Sequence, residues 1–303
     1  MNQNNLKASL AISNSGFDYC LSQDEKLLYI ISTDQLITYE ILTEKQNIIA
    51  QLEDMNLSHP KICVSSNNSI CCVSAQAIIK GQVSFVLLKF DVEKKVLSET
   101  YINYHLMQVE MLEFLQNSQM LISLSIDTTI KIFDFALQKP KTILTRCKYR
   151  ALYCKLMQNQ NRLFIIDNLS KVQLLDVNTE KLIKGFQLRS GNFRKAKLEK
   201  NGIMALIAKS QKCFLYNLPK QKLIRKYEIS DDFKQLILLT DYLIFQDDGL
   251  IILVNVATGK QKQINLKDIQ NINHLTFYQN LNKLIIGDRD QIHFFDKIYF
   301  QEQ

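Results

Sequence analysis

Apolar and polar residues alternate along this chain in short runs, and the clearest is His105–Asp134, HLMQVEMLEFLQNSQMLISLSIDTTIKIFD. Val109 and Met111, then Leu121, Ser123 and Ser125, then Ile130 and Ile132 set against Lys131 and Phe133, all recur with a period of two. That period predicts three strands, each with one buried face, joined by turns at Gln116–Gln119 and Asp127–Thr128. Leu6, Ala8, Leu10 and Ile12 alternate too, which predicts a strand with no partner nearby in sequence. No segment holds a helical period over ten or more residues.

The pattern repeats. An apolar or aromatic residue followed by Asp, Asn or Glu closes a β-rich run at Tyr39-Glu40, Phe90-Asp91, Phe133-Asp134, Leu175-Asp176, Tyr216-Asn217, Val254-Asn255 and Phe295-Asp296. Successive spacings are 51, 43, 42, 41, 38 and 41 residues. A polar turn precedes each run, and most are followed by another turn and a short fourth strand. Four-stranded units of ~40–45 residues are propeller blades. The expected fold is all-β: a seven-bladed β-propeller of four-stranded antiparallel blades in a single domain, residues 1–303. The blades are placed at about 17–52, 62–102, 105–145, 149–188, 192–229, 233–266 and 272–303. The last unit stops seven residues after Asp296 and lacks a fourth strand. The N-terminal strand within residues 1–13 is expected to complete it, which removes an open sheet edge. The second unit is longer by about eight residues around Ala77–Gln82, which predicts a protruding hairpin.

The third unit resembles a WD40 repeat at that family's defining positions. His105 lies four residues before the first-strand Val109, Ser123 lies in the second strand and Asp127 in the next turn. Phe133-Asp134 stands where the family has Trp-Asp. The resemblance implies a blade-locking hydrogen-bond network of His105, Ser123 and Asp127. Phe133 cannot close it, because it has no indole N–H. Tryptophan is absent from the chain, as is any Gly-His pair, and the other units keep only the turn Asp and the closing Asp or Asn. The resemblance also implies a non-enzymatic interaction scaffold within a larger assembly.

A chain of 303 residues can bury most of its apolar surface without a metal or disulfide. With eight Gly and three Pro, Asn, Asp and Lys must form many of the turns. The cysteines at 20, 63, 71, 72, 147, 154 and 213 are odd in number, and none has C-x-x-C spacing. They are expected as buried free thiols of a reducing compartment. None of His59, His105, His274 and His293 has a second His or Cys at metal-ligand spacing. His293 alternates with Phe295, which predicts a buried or half-buried side chain. Asp247-Asp248-Gly249 and Asp288–Asp290 are superficially like calcium loops but sit at expected hairpin turns. G-x-S-x-G, glycine-rich phosphate loops and H-E-x-x-H do not occur. The expectation is no catalysis, no metal, no cofactor and no small-molecule substrate. The first thirteen residues lack a charged region followed by an apolar core, and no apolar run reaches ~18 residues, so a cytoplasmic, non-secreted protein is expected.

Charge changes the picture more than any motif. From Lys181 to Lys226 the chain has thirteen Lys and Arg against one acid, Glu199, a local charge of +12 where the whole chain carries +7. Arg189, Arg194, Lys195, Lys197, Lys200, Lys220, Lys222, Arg225 and Lys226 fall in and around the connections of the fifth unit. Connections are exposed, and a sector of one sign can steer and hold an acidic partner. The expected partner is a protein with an acidic segment; lysine abundance alone would give only a solvated face. The alternative is a peripheral membrane module for phosphoinositide head groups, and nucleic acid is disfavoured. Related propellers that bind such lipids carry Phe-Arg-Arg-Gly, whereas here Phe186 is followed by Gln187 and Leu188.

Overall fold

Among the described residues of a computed structural model, the alternating runs form twenty-eight strands. It describes residues 6–12, 17–115, 119–135, 139–144, 151–157, 162–176, 179, 181–188, 192–198, 202–218, 220, 222–229, 236–239, 242–247, 250–265, 274–278, 283–288 and 291–296. Strand β1 is Leu6–Ala11. The first sheet runs β2 (Asp18–Leu21), β3 (Leu27–Ile31), β4 (Gln35–Glu40), β5 (Lys45–Gln51). The second runs β6 (Ser58–Val64), β7 (Ile70–Ile79), β8 (Gln82–Asp91), β9 (Val96–Ile102). The third runs β10 (Val109–Phe114), β11 (Met120–Ser125), β12 (Thr129–Asp134), β13 (Lys139–Leu144). The fourth runs β14 (Ala151–Met157), β15 (Arg162–Asp167), β16 (Lys171–Asp176), β17 (Leu182–Gln187). The fifth runs β18 (Phe193–Leu198), β19 (Ile203–Ala208), β20 (Lys212–Asn217), β21 (Lys222–Glu228). The sixth runs β22 (Leu236–Leu238), β23 (Tyr242–Asp247), β24 (Leu250–Asn255), β25 (Gln261–Asn265). The seventh contains β26 (His274–Tyr278), β27 (Lys283–Gly287) and β28 (Gln291–Asp296), and β1 pairs antiparallel with β28, from Leu6 opposite Phe295 to Ala11 opposite Gln291. The fold is an all-β, seven-bladed propeller whose last blade is completed by the N-terminal strand.

By internal contacts the chain divides into two compact units, one of Ser13–Ile165 and Val172–Phe186 and one of Met1–Ile12, Ile166–Lys171 and Gln187–Gln303. In the first, one apolar cluster joins Tyr29, Ile31 and Leu36 to Val73, Ala75 and Leu88, packing the first sheet on the second. The opposite face of the second sheet, with Cys72 and Leu87, meets Leu121 and Phe133 of the third. In the other unit, Ala205, Ile207 and Leu215 of the fifth sheet pack on Leu243, Phe245 and Val254 of the sixth.

This packing corrects the expectation of one buried face per strand. Strand β11 is buried on both faces: Leu121 packs towards Phe133, while Ile122 and Leu124 pack on Cys154 and Ile165. Ser123 and Ser125 share the face of Leu121 and are fully buried. Their alternation with leucine marks a buried polar side, not a solvated one. Solvent meets the fourth strands instead, and β17 and β21 are mostly exposed.

The recurring Asp, Asn or Glu is the last residue of each third strand, where a short acceptor caps the turn into the fourth strand. The N–H of Lys94 donates to Asp91 Oδ1 at 3.0 Å, that of Thr179 to Asp176 Oδ1 at 2.7 Å, and that of Thr258 to Asn255 Oδ1 at 2.8 Å. The extra length of the second unit extends β7 and β8 to ten residues each. Lys80 and Gly81, both at positive φ, close them in a two-residue turn that suits the twist of a hairpin.

Removing residues 1–12 strips the ladder partner from Gln291–Phe295. The truncated chain should melt several degrees below the full chain and aggregate with rising concentration, as read by differential scanning calorimetry and light scattering.

Candidate functional site

Two groups of residues were singled out by sequence, and they differ in kind. The first surrounds His105 in the connection from β9 to β10. Asp127 Oδ2 accepts from His105 Nδ1–H at 3.0 Å and from the Leu106 N–H at 2.9 Å. Asp127 Oδ1 accepts from the Thr129 hydroxyl at 2.6 Å and from its N–H at 2.9 Å. With Nδ1–H aimed at the carboxylate, Nε2 is the acceptor for the Ser123 hydroxyl at 2.8 Å. The Ser123 oxygen then faces the Tyr104 hydroxyl, a long contact of 3.4 Å. Phe133 contributes no hydrogen bond and packs in an aromatic cluster with Tyr101, Tyr104 and Phe135. The network that Phe133 cannot close is extended by the hydroxyl of Tyr104, the residue just before His105. Asp134 ends β12.

Burial holds His105 below its ordinary value against the pull of Asp127, so the ring is neutral at pH 7. Burial alone would raise the Asp127 carboxyl, but its bonds from Thr129 and the Leu106 N–H outweigh that and hold it low. Ser, His and Asp joined in this order form the arrangement that activates a serine nucleophile. Here Ser123 is 0% exposed and His105 1%, so no substrate can reach the hydroxyl. The arrangement ties the β11–β12 turn to the β9–β10 connection.

The second group is the basic sector, whose described members lie on two strands and a turn of the fifth sheet. Arg189 and Lys200 lie outside the described residues. Arg194, Lys195 and Lys197 lie on β18, the first strand of the fifth sheet, whereas Lys222, Arg225 and Lys226 lie on β21, the fourth. Two strands separate them, about 14 Å at ordinary strand spacing. Lys220 is in the turn entering β21, and its N–H donates to Asn217 Oδ1 at 3.0 Å. Arg225 lies half-buried against the β24–β25 turn: its Nη2 donates to the Ala257 carbonyl at 2.9 Å, and its guanidinium lies where a side chain on Gly259 would sit. Gly259 has φ +77° and needs glycine on both counts. Lys220, Lys222 and Lys226 remain exposed on the outer strand and its turn, with Lys226 Nζ 3.0 Å from Glu228 Oε1.

Tyr104 and the Arg225–Gly259 contact were missed from sequence. A tyrosine directly before the histidine, in a chain without tryptophan, was the available signal for the first. Among the cysteines, 63, 71, 72, 154 and 213 are buried and Cys20 is half-buried, with Cys147 outside the described residues. Burial pushes the Cys213 thiol up to about 12. His293 is buried, with Nε2 2.9 Å from Asp288 Oδ2. Asp248, Gly249, Arg289 and Asp290 lie outside the described residues, as does the side chain of Asp247. Among the described residues no group of three His, Cys, Asp or Glu could hold a metal ion, and no helix is long and apolar enough to cross a membrane.

The structure is similar to the WD40 β-propeller domain of Doa1, with a TM-score of 0.74 and 14% identity over 97% of this chain and 96% of that one. The chain has the fold of the WD40 β-propellers. It is also similar to the β-propeller domain of Myceliophteria thermophila Cps50 (Swd1), with a TM-score of 0.79 and 9% identity over 97% of this chain and 99% of that one. A chain of a mitotic checkpoint complex structure gives a TM-score of 0.76 and 11% identity over 97% of this chain and 92% of that one. No protein-family model matches the sequence, and no curated protein is similar to it in sequence. The WD40 likeness is therefore one of fold.

Tyr104→Phe should cost about 1 kcal/mol, the net worth of one hydrogen bond, and His105→Ala about 3 kcal/mol, because it leaves the buried Ser123 hydroxyl without its acceptor and a cavity where the ring stood. Urea unfolding checks both. Folding lowers the His105 pKa, so the unfolded chain binds its proton first and stability is lost as pH falls below about 6.5. His105→Gln should flatten that slope below about pH 6.5.

Proposed function

We propose that this chain is a non-enzymatic protein-interaction scaffold, a cytoplasmic subunit of a larger assembly, working as one domain over residues 1–303. The observation that carries the reading is the outer strand of the fifth sheet. Lys220, Lys222 and Lys226 are exposed there, and Glu228 is the one acid on the strand. A rigid stack of sheets presents such a strand in fixed geometry, so a partner that matches it binds without ordering the scaffold. Exposed cations on a firm edge attract an acidic protein segment and speed its encounter. The inner-strand cations Arg194, Lys195 and Lys197 form a separate surface and are secondary to the outer group.

Affinity purification from native extract tests this. Lys220→Glu, Lys222→Glu and Lys226→Glu together should deplete the co-purifying proteins by about tenfold or more, and raised salt should do the same to the unaltered chain. Lys195→Glu with Lys197→Glu should leave them bound. An unchanged partner set in the outer-strand variant refutes the assignment.

A further inference from the structure

The hairpin that closes β7 and β8 overhangs its neighbours. Strand β6 pairs no further along β7 than Gln76, and β9 no further along β8 than Val86, opposite Ile102. Asn103, at φ 54°, then takes the chain off the line of β9. Within the sheet, residues 77–84 therefore pair only with one another. One side of this projection is covered, because Ala77 and Ile79 join the apolar cluster that holds Met55 and Leu57 of the β5–β6 connection. The other side is open. Ile78 and Val83 stand opposite each other there, 48% and 59% exposed, on the face that lower down carries Cys72 and Leu87 against the third sheet. Leu106 and Met107, in the β9–β10 connection that starts at the same end of the sheet, are also exposed.

The two-residue turn makes Ile79 and Gln82 the hydrogen-bonded pair that closes the hairpin. Val83 and Phe85 therefore turn their N–H and C=O groups away from β7, towards an outer edge that β9 has already left. The fourth strands β5, β9 and β21 pair with register shifts, whereas β7 and β8 pair without one. Lys80 is the single charge between Gln76 and Phe85, and the segment has no proline. A regular, weakly charged edge of this kind is a template for another strand. We infer that the outer edge of β8 at Gln82–Phe85 takes an extended, alternately apolar segment of a partner protein, added in line with β9 and antiparallel to β8. The residues opposite Val83 and Phe85 exchange both backbone hydrogen bonds with them and lay apolar side chains on the open side. A helix uses its N–H and C=O groups internally and has none to give this edge. Two copies joined about a twofold at Ser84 would drive each turn into the other's β9, so the occupant is a separate segment. This surface is additional to β21 and does not depend on it.

The test is fluorescence anisotropy with the intact chain and a labelled ten-residue peptide in which Val alternates with Thr. The plain peptide should bind with a Kd on the order of 0.1 mM. N-methylation of its valines removes the N–H groups that face β8 and should weaken binding about tenfold or more. N-methylation of its threonines, whose N–H groups face away, should leave it bound. Val83→Pro deletes an edge N–H that β7 does not use and should abolish binding. Ile78→Thr with Val83→Thr keeps the backbone and should weaken binding several-fold at an unchanged melting temperature, because both side chains are exposed. Lys222→Glu with Lys226→Glu should have no effect. Equal binding of the two methylated peptides, or no binding of the plain one at about ten times that concentration, overturns strand addition. Undiminished binding to the threonine variant overturns the apolar side of the assignment. A dimer of the intact chain that Val83→Pro dissolves, read by sedimentation, would give the edge to a second copy and overturn the partner. Each of these failures leaves the β21 surface standing.

Discussion

Each sheet in the interior of a unit has two apolar faces, and both must be covered. The second sheet shows the constraint most plainly, with Val73, Ala75 and Leu88 packed on the first sheet and Cys72 and Leu87 on the third. A four-stranded sheet alone would leave both faces wet, so stability comes from stacking neighbours and not from any single blade. The same constraint explains the buried polar side of β11. Ser123 occupies a face that can never reach water, so its hydroxyl must find partners within the protein, and His105 and Tyr104 supply them.

Stacking also decides where function can reside. The middle strands are consumed by the core, and the hydrogen-bonded Ser123 and His105 are buried with them. What remains for a partner is the turns and the fourth strands. Fourth strands risk unwanted pairing, and this chain manages that risk with register shifts in the β4–β5, β8–β9 and β20–β21 pairs and with lysines on β21. On β21 the same devices leave apolar and cationic side chains pointing outward.

Much of the architecture was legible because it repeats. Asp91, Asp176, Asn217 and Asn255 recur at near-constant spacing because each caps an equivalent turn, and the unpartnered alternation of Leu6–Ile12 revealed the strand that completes the last sheet. Period-two alternation said nothing of which faces were wet, because leucine and serine alternate along β11 with both buried. The layout of the basic residues was hidden for a related reason. A sequence window adds the charges of Lys195 and Lys222, yet two strands lie between them. Arg225 looked like its neighbours until its contact with Ala257, 32 residues away, held it half-buried against the β24–β25 turn.

The central claim is that the outer strand of the fifth sheet is where a partner's carboxylates sit. Zero-length carbodiimide cross-linking in native extract, read by mass spectrometry, tests it directly, because the reagent joins only amines and carboxylates already in contact. The account predicts links from Lys220, Lys222 or Lys226 to acidic residues of a co-purifying protein. Partner links confined to lysines elsewhere, such as Lys80 or Lys195, would contradict it.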